Sequence, residues 1–141
     1  MRTVLQRVTR ASVTVEDRVV GGIDRPGLVA LVAAHRDDTA TDVSTTARKI
    51  AELRILADET SVTQIGAPVL VVSQFTLYGE SAKGRRPSWG QAAPGPQAQP
   101  LIEAVVADLR ARGIEVATGV FGAQMRVDLV NDGPFTLIVD T

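Results

Sequence analysis

The run LVALVAA at residues 28–34 contains no polar residue. A strand with one wet face alternates apolar and polar side chains. An unbroken apolar run instead predicts a strand buried on both faces, in a sheet covered by another layer. PVLVVSQFTLY, residues 68–78, is the second such run and the strongest strand pattern in the chain. Between them, Asp37 to Thr39 offer N-caps, and Val43, Ala47, Ile50 and Leu53 recur at three- and four-residue spacing. That spacing predicts a helix over 40–53. A second helix is predicted over 99–112, with Leu101, Val105 and Leu109 inward and Gly113 in the C-terminal capping position. Helices inserted among strands imply the α/β class. The expected architecture is a layered single domain, residues 1–141, with mixed, largely antiparallel β-sheets forming a barrel-like core and two main helices.

Outward from this centre, TVLQRVTRASVTVED (3–17) alternates with period two, breaks near Arg10 and resumes with Ala11, Val13 and Val15. Two consecutive strands are expected there. RVVGGI (18–23) reads as a short strand, and Pro26-Gly27 as a turn. RIL (54–56) reads as a short strand followed by a polar loop, and IEVATG, QMRVDLV and FTLIVD complete the strand set. From Gly79 to Gln99 the composition shifts to Gly, Pro, Ser, Gln and basic residues, a long loop of the kind that carries function. VNDGPFT (130–136) places Asp-Gly between two alternating runs, the ordinary hairpin signal. Pro134 spoils that simplicity, because it cannot donate to a ladder and it restricts the residue before it. The turn is expected to be a tool rather than a connection.

Composition removes several chemistries. Hydrophobic residues make up 45% of the chain and aromatic residues 4%, so packing rests on Val, Leu, Ile and Ala. At this length a domain buries roughly 70% of its unfolded surface. Without cysteine there are no disulfides, no thiolate catalysis and no cysteine zinc sites. A net charge of −1 argues against a broad phosphate-binding face, so no duplex DNA partner is expected. No apolar run reaches membrane-spanning length, and Met1-Arg2-Thr3 leads directly into a strand pattern; a soluble, cytoplasmic protein is expected. His35 is the sole histidine, and in AAHRDD it reads more readily as a solvated loop residue than as the base of a triad. Neither metal-ligand spacing nor a phosphate-binding glycine motif is present, and no metal or cofactor is expected. An enzyme built this way works by positioning and by backbone hydrogen bonds.

Two places break the apolar pattern. After Val71 and Val72 come Ser73, Gln74, Phe75 and Thr76. Their polar groups either bond neighbouring strands or line a site, since burying them without partners is unfavourable. Thr76 has no base in view to make it a nucleophile. The loop SAKGRRPSW gathers Lys83, Arg85 and Arg86 ahead of Trp89. Such a group suits a single-stranded phosphate backbone with a base to stack, or else is a solvated charged loop.

Four stretches, QRVTRASVTVED, SQFTLY, KGRRPSW and FGAQMRVDLVNDGPFT, occur in an order that resembles the D-aminoacyl-tRNA deacylases over nearly the whole chain. The combination of S-Q-F-T with N-x-G-P is the specific part. The resemblance implies hydrolysis of the ester between a D-amino acid and the 3′-terminal ribose of tRNA, action on glycine mischarged to alanine tRNA, and a homodimer with sites at its interface. It implies a cis Gly133–Pro134 bond in a turn that reaches into the partner subunit's site, where its carbonyls exclude an L-side chain. Ser73, Gln74, Phe75 and Thr76 would form the catalytic wall. Backbone N–H groups near Gln74 and Phe75 would meet the oxyanion, and the ribose 2′-hydroxyl would assist. Asn131, Gly133, Pro134, Phe121, Gly122, Ala123 and Met125 would bind substrate, and Arg7, Lys83, Arg85 and Arg86 the tRNA. The segment ADETSVTQIGAPVL is shorter than its counterpart in the family. A non-catalytic RNA-binding module and a small-molecule esterase remain alternative readings of the same residues.

Overall fold

In the computed structural model, which describes residues 1–141, the two apolar runs become β3 (Gly27–Ala33) and β4 (Val69–Ser73). They are parallel neighbours, with Leu28 opposite Val69 and Val32 opposite Ser73. Each is buried on both faces. Leu28, Ala30 and Val32, with Val69 and Val71, pack into a cluster with α1 (Ala40–Glu52) and α3 (Gly95–Ala111). Val29, Leu70 and Val72 face the opposite way, against Val8, Ala11 and Val13 of β1 (Arg2–Val15) and Ile23 of β2 (Arg18–Ile23). Residues 28–32 and 69–72 therefore alternate between the two layers, which is why none of them is polar.

Parallel pairing requires crossovers, and the helices supply them. α1 and the single-turn α2 (Val62–Ile65) connect β3 to β4, and α3 connects β4 to its parallel neighbour β5 (Val116–Thr118). β1 runs antiparallel to β2, to β3 and to β6 (Arg126–Asp140). The path is β2-β1-β3-β4-β5, with β6 also on β1. Its two ends nearly meet, for a Cβ added at Gly21 in β2 would lie 2.1 Å from the carbonyl oxygen of Thr118 in β5. The result is an α/β fold whose mixed sheet almost closes into a barrel, with α1 and α3 on one side.

Several local expectations are corrected. Residues 2–15 form one strand, not two. The break in alternation is a bulge, where pairing with β6 slips between Gln6 and Val8 and again between Val8 and Arg10. The bulge moves β1 from one layer to the other: Leu5 packs with the helices, whereas Val8, Ala11 and Val13 fill the barrel. Residues 126–140 are likewise one strand rather than a hairpin. The Asp-Gly signal presumes that the flanking runs pair with each other, but β1 is long enough to pair with both. Asn131 stands opposite Val8 and Thr136 opposite Gln6, so Asp132, Gly133, Pro134 and Phe135 bulge out across from Arg7.

RIL is not a strand. Ile55 and Leu56 are tucked into the helix-side cluster from a loop, with no partner strand beside them. The polar loop after it holds a 3-10 turn, Ala57–Glu59, and α2, which opens with a Ser61–Gln64 capping box. β4 stops at Ser73, and Phe75–Tyr78 is a 3-10 turn. α1 starts where expected, capped by Thr39 and Asp42. α3 begins at Gly95, earlier than expected, because Pro94 and Pro96 fit a first turn whose N–H groups need no partner.

Candidate active site

The C-terminal end of β4 carries the first motif. The Gln74 N–H donates to the Val32 carbonyl at 2.8 Å. It is therefore committed to the sheet and is not a free oxyanion donor, a correction to the expected pair. Phe75 and Thr76 open the 3-10 turn, and the first N–H groups of such a turn have no acceptor within it. The Gln74 side-chain amide donates to Thr76 Oγ1, and no acid or base bonds that hydroxyl. His35 is engaged elsewhere: its Nδ1 accepts from the Asp37 N–H at 3.2 Å, and its ring meets Tyr78 edge-on at 5.3 Å. Burial pushes the Tyr78 phenol up to about 12, and Asp38 adds to the shift. Neither side chain hydrogen-bonds to Ser73, Gln74 or Thr76.

Two cavities flank this turn and share Ser73, Phe75 and Gly122 in their walls. One, of about 440 Å³, is largely apolar and includes Trp89, Ala98, Ile102 and Phe121. The other, of about 310 Å³, includes Val72, Gln74, Ala123 and Met125. The structure thus brings Phe121, Gly122, Ala123 and Met125 to Ser73, Gln74 and Phe75 across the sheet. Ala98 and Ile102 were not among the site residues expected from sequence. Helical spacing was their only signal, and it marks a core face as readily as a cavity wall.

The second motif lies elsewhere. Ser73 is level with Val32, and Val32 with Thr3, whereas Asn131 is level with Val8. Along β1 that separation is about 17 Å at ~3.4 Å per residue. Asn131, Gly133 and Pro134 are exposed and line neither cavity. The Gly133–Pro134 bond is cis. Arg7 is half-buried against this bulge. Its Nε donates to the Asp132 carbonyl at 2.9 Å, and its guanidinium lies 4.4 Å above the Phe135 ring. The Asn131 amide in turn donates to the Arg7 carbonyl at 2.8 Å. Lys83, Arg85 and Arg86 are exposed at the tip of a hairpin clamped by a Glu80–Ser88 bridge.

A family model described as D-Tyr-tRNA(Tyr) deacylase matches residues 4–140. The chain belongs to that family. Curated relatives named D-aminoacyl-tRNA deacylase include one from Acidothermus cellulolyticus, 63% identical over 99% of both chains. Another, from Thermobifida fusca, is 58% identical over the same shares. A solved structure titled c-Myc DNA Unwinding Element Binding Protein superposes with a TM-score of 0.92 at 35% identity, covering 100% of this chain and 99% of that one. One titled as a probable eukaryotic D-amino acid tRNA deacylase superposes with a TM-score of 0.87 at 19% identity, covering 99% and 98%, which speaks to the fold.

For a deacylase of this family, the cleft is notable for what its side chains do not do. No group of three or more His, Cys, Asp or Glu is arranged to hold a metal ion. What the cleft offers is backbone donors at Phe75 and Thr76, hydroxyls and an amide, and a largely apolar wall on one side. That equipment suits stabilisation of a developing oxyanion on an ester held in place.

Proposed function

We propose that the chain hydrolyses the ester of D-aminoacyl-tRNA, and of glycine mischarged to alanine tRNA, using a cleft completed by a second copy of itself. The observation that carries this reading is the match, from residue 4 to residue 140, to the deacylase family with both motifs intact. Phe121, Gly122, Ala123 and Met125 hold the terminal adenosine beside Ser73–Thr76. The N–H groups of Phe75 and Thr76 meet the oxyanion, and the ribose 2′-hydroxyl delivers the proton chemistry that no side chain provides. Gly133 and Pro134, remote from the cleft of their own chain, enter that of the partner and present backbone where an L-side chain would project. Arg7 shapes that segment, and Asn131 pins it to β1. Lys83, Arg85 and Arg86 meet the RNA backbone. Support for the homodimer comes from β6, which pairs only with β1 and exposes Val127, Val130, Phe135 and Ile138. An unprotected edge of that length invites another chain.

The test is release of amino acid from D-Tyr-tRNA, L-Tyr-tRNA, Gly-tRNA(Ala) and a free D-amino ester. Hydrolysis of the D- and glycyl-tRNAs alone is expected. Equal rates on D- and L-Tyr-tRNA would remove the chiral reading. Binding without turnover would leave an RNA-binding module, and turnover of the free ester alone a small-molecule esterase. A 2′-deoxy terminal adenosine is expected to slow the reaction at least a hundredfold, in the range of a lost general acid–base contribution of about 10²–10⁴.

A further inference from the structure

Two aromatic rings stand in solvent at the mouth of the cleft. Phe75 is 56% exposed and Trp89 40% exposed, and their rings meet edge-to-face at 5.8 Å. Trp89 is held by its backbone on both sides. Ser88 exchanges two hydrogen bonds with Glu80, at 2.8 and 3.2 Å, and the Ala93 N–H donates to the Ala34 carbonyl at 2.9 Å. The indole edge lies 3.4 Å from where a Cβ on Gly79 would stand, so a side chain there would crowd the ring.

Single exposed rings are ordinary on protein surfaces. The company of this pair is what directs it. One side of the pair lines the cavity that reaches Ser73. On the other side the hairpin carries Lys83, Arg85 and Arg86, none of which forms an ion pair. With a net charge of −1, these cations are not the overflow of a generally basic surface. An apolar peptide does not call for three free cations, and a lone anion does not call for two exposed rings. A nucleotide calls for both, its base on the ring and its phosphate on the cations.

We propose that Trp89 and Phe75 form a stacking platform for the nucleobase immediately preceding the terminal adenosine, with Lys83, Arg85 and Arg86 neutralising the adjoining phosphates. The inference rests on the aminoacyl-tRNA reading above and adds a second nucleotide subsite to it. The platform recognises single-stranded RNA by stacking, so it tolerates any base but requires that one be present. Its contribution belongs to binding of the 3′ end rather than to the chemical step.

Trp89 is the only tryptophan in the chain, so its fluorescence reports on the platform directly. Titration with the dinucleotide CpA is expected to quench it saturably, and adenosine to quench it much less. In kinetics, the ratio of kcat/KM for D-aminoacyl-CpA to that for D-aminoacyl-adenosine is expected to fall about tenfold in Trp89→Ala, within the range for one base stacked on an aromatic ring. Trp89→Phe is expected to keep most of the ratio. For D-aminoacyl-tRNA, whose 3′ strand offers a phosphate to each cation, the dependence of log KM on log salt is expected to have a slope of about 2, from three cations at ~0.7 each on a single strand, and to drop by about 0.7 in Arg86→Ala. Equal quenching by CpA and adenosine, or an unchanged ratio in a folded Trp89→Ala, would overturn the proposal. If the wild-type protein hydrolysed no D-aminoacyl ester, the proposed function would fail, and the fluorescence titration would still decide the platform.

Discussion

Gly133 is exposed, and a Cβ built on it finds nothing closer than Asn131 Oδ1 at 3.4 Å. Its own chain therefore does not demand glycine, and any demand comes from what the segment meets in the proposed assembly. Gly133→Ala is expected to leave unfolding free energy within about 0.5 kcal/mol of the parent, as for an unconstrained surface site. The same change is expected to lower kcat/KM on D-Tyr-tRNA at least tenfold. Denaturant unfolding beside single-turnover deacylation separates the two, and a variant with parental activity would assign the glycine to nothing but the turn. Arg7 shows the opposite case. In sequence it is a cation on a strand beside Arg10; in the structure its charge is spent inside the bulge on Asp132 and Phe135. Residue type announces a charge, whereas only position says where that charge is used.

At the level of elements, β1 carries the design. It is 14 residues long and serves β2 and β3 along one path while pairing with β6 from end to end. Its bulge lets one strand contribute to two cores, which period-two counting misreads as two strands. Closure of the sheet depends on the close approach of β2 and β5 at Gly21. A Cβ there would lie 2.1 Å from a backbone oxygen, which cannot rotate away. Gly21→Ala is expected to cost about 1–3 kcal/mol, the usual range for overpacking. Gly90→Ala, where an added Cβ meets nothing within 4 Å, serves as the control. Urea midpoints for the two variants check the contrast. Equal midpoints would mean that β2 and β5 do not bear on stability.

Across the whole molecule, the two motifs lie about 17 Å apart along the strand direction, by ~3.4 Å per residue over the offset between Thr3 and Val8. A single chain does not join them. The proposed dimer does, and it makes a prediction that no single-chain site shares. Phe75→Ala damages the cleft, and Gly133→Ala damages the donated segment. Each homodimer is expected to be poor in deacylation. Mixing the two after partial unfolding and refolding is expected to restore activity, because each mixed dimer holds one site with both halves intact. Recovery to about a quarter of parental activity follows from random pairing, in which half the dimers are mixed and each carries one good site of two. No recovery in mixed dimers verified by mass would place both motifs in the service of one subunit.

What residues 1–141 determined by themselves were the layers and the chemistry. Unbroken apolar runs at 28–34 and 68–72 made a sheet covered on both sides, the helical spacing at 43–53 and 101–109 supplied the cover, and the lack of cysteine with a lone histidine removed thiolate chemistry and left one imidazole. These are local properties, written in periodicity and residue type. Only the tertiary structure decided that β1 and β6 are single strands, that the Gln74 backbone N–H is committed to the sheet, that Arg7 is half-buried in the bulge, and that Trp89 stands fixed and exposed beside the cleft. Each of these depends on a partner far away along the chain, and no local pattern encodes which partner a strand, a donor or a charge will find.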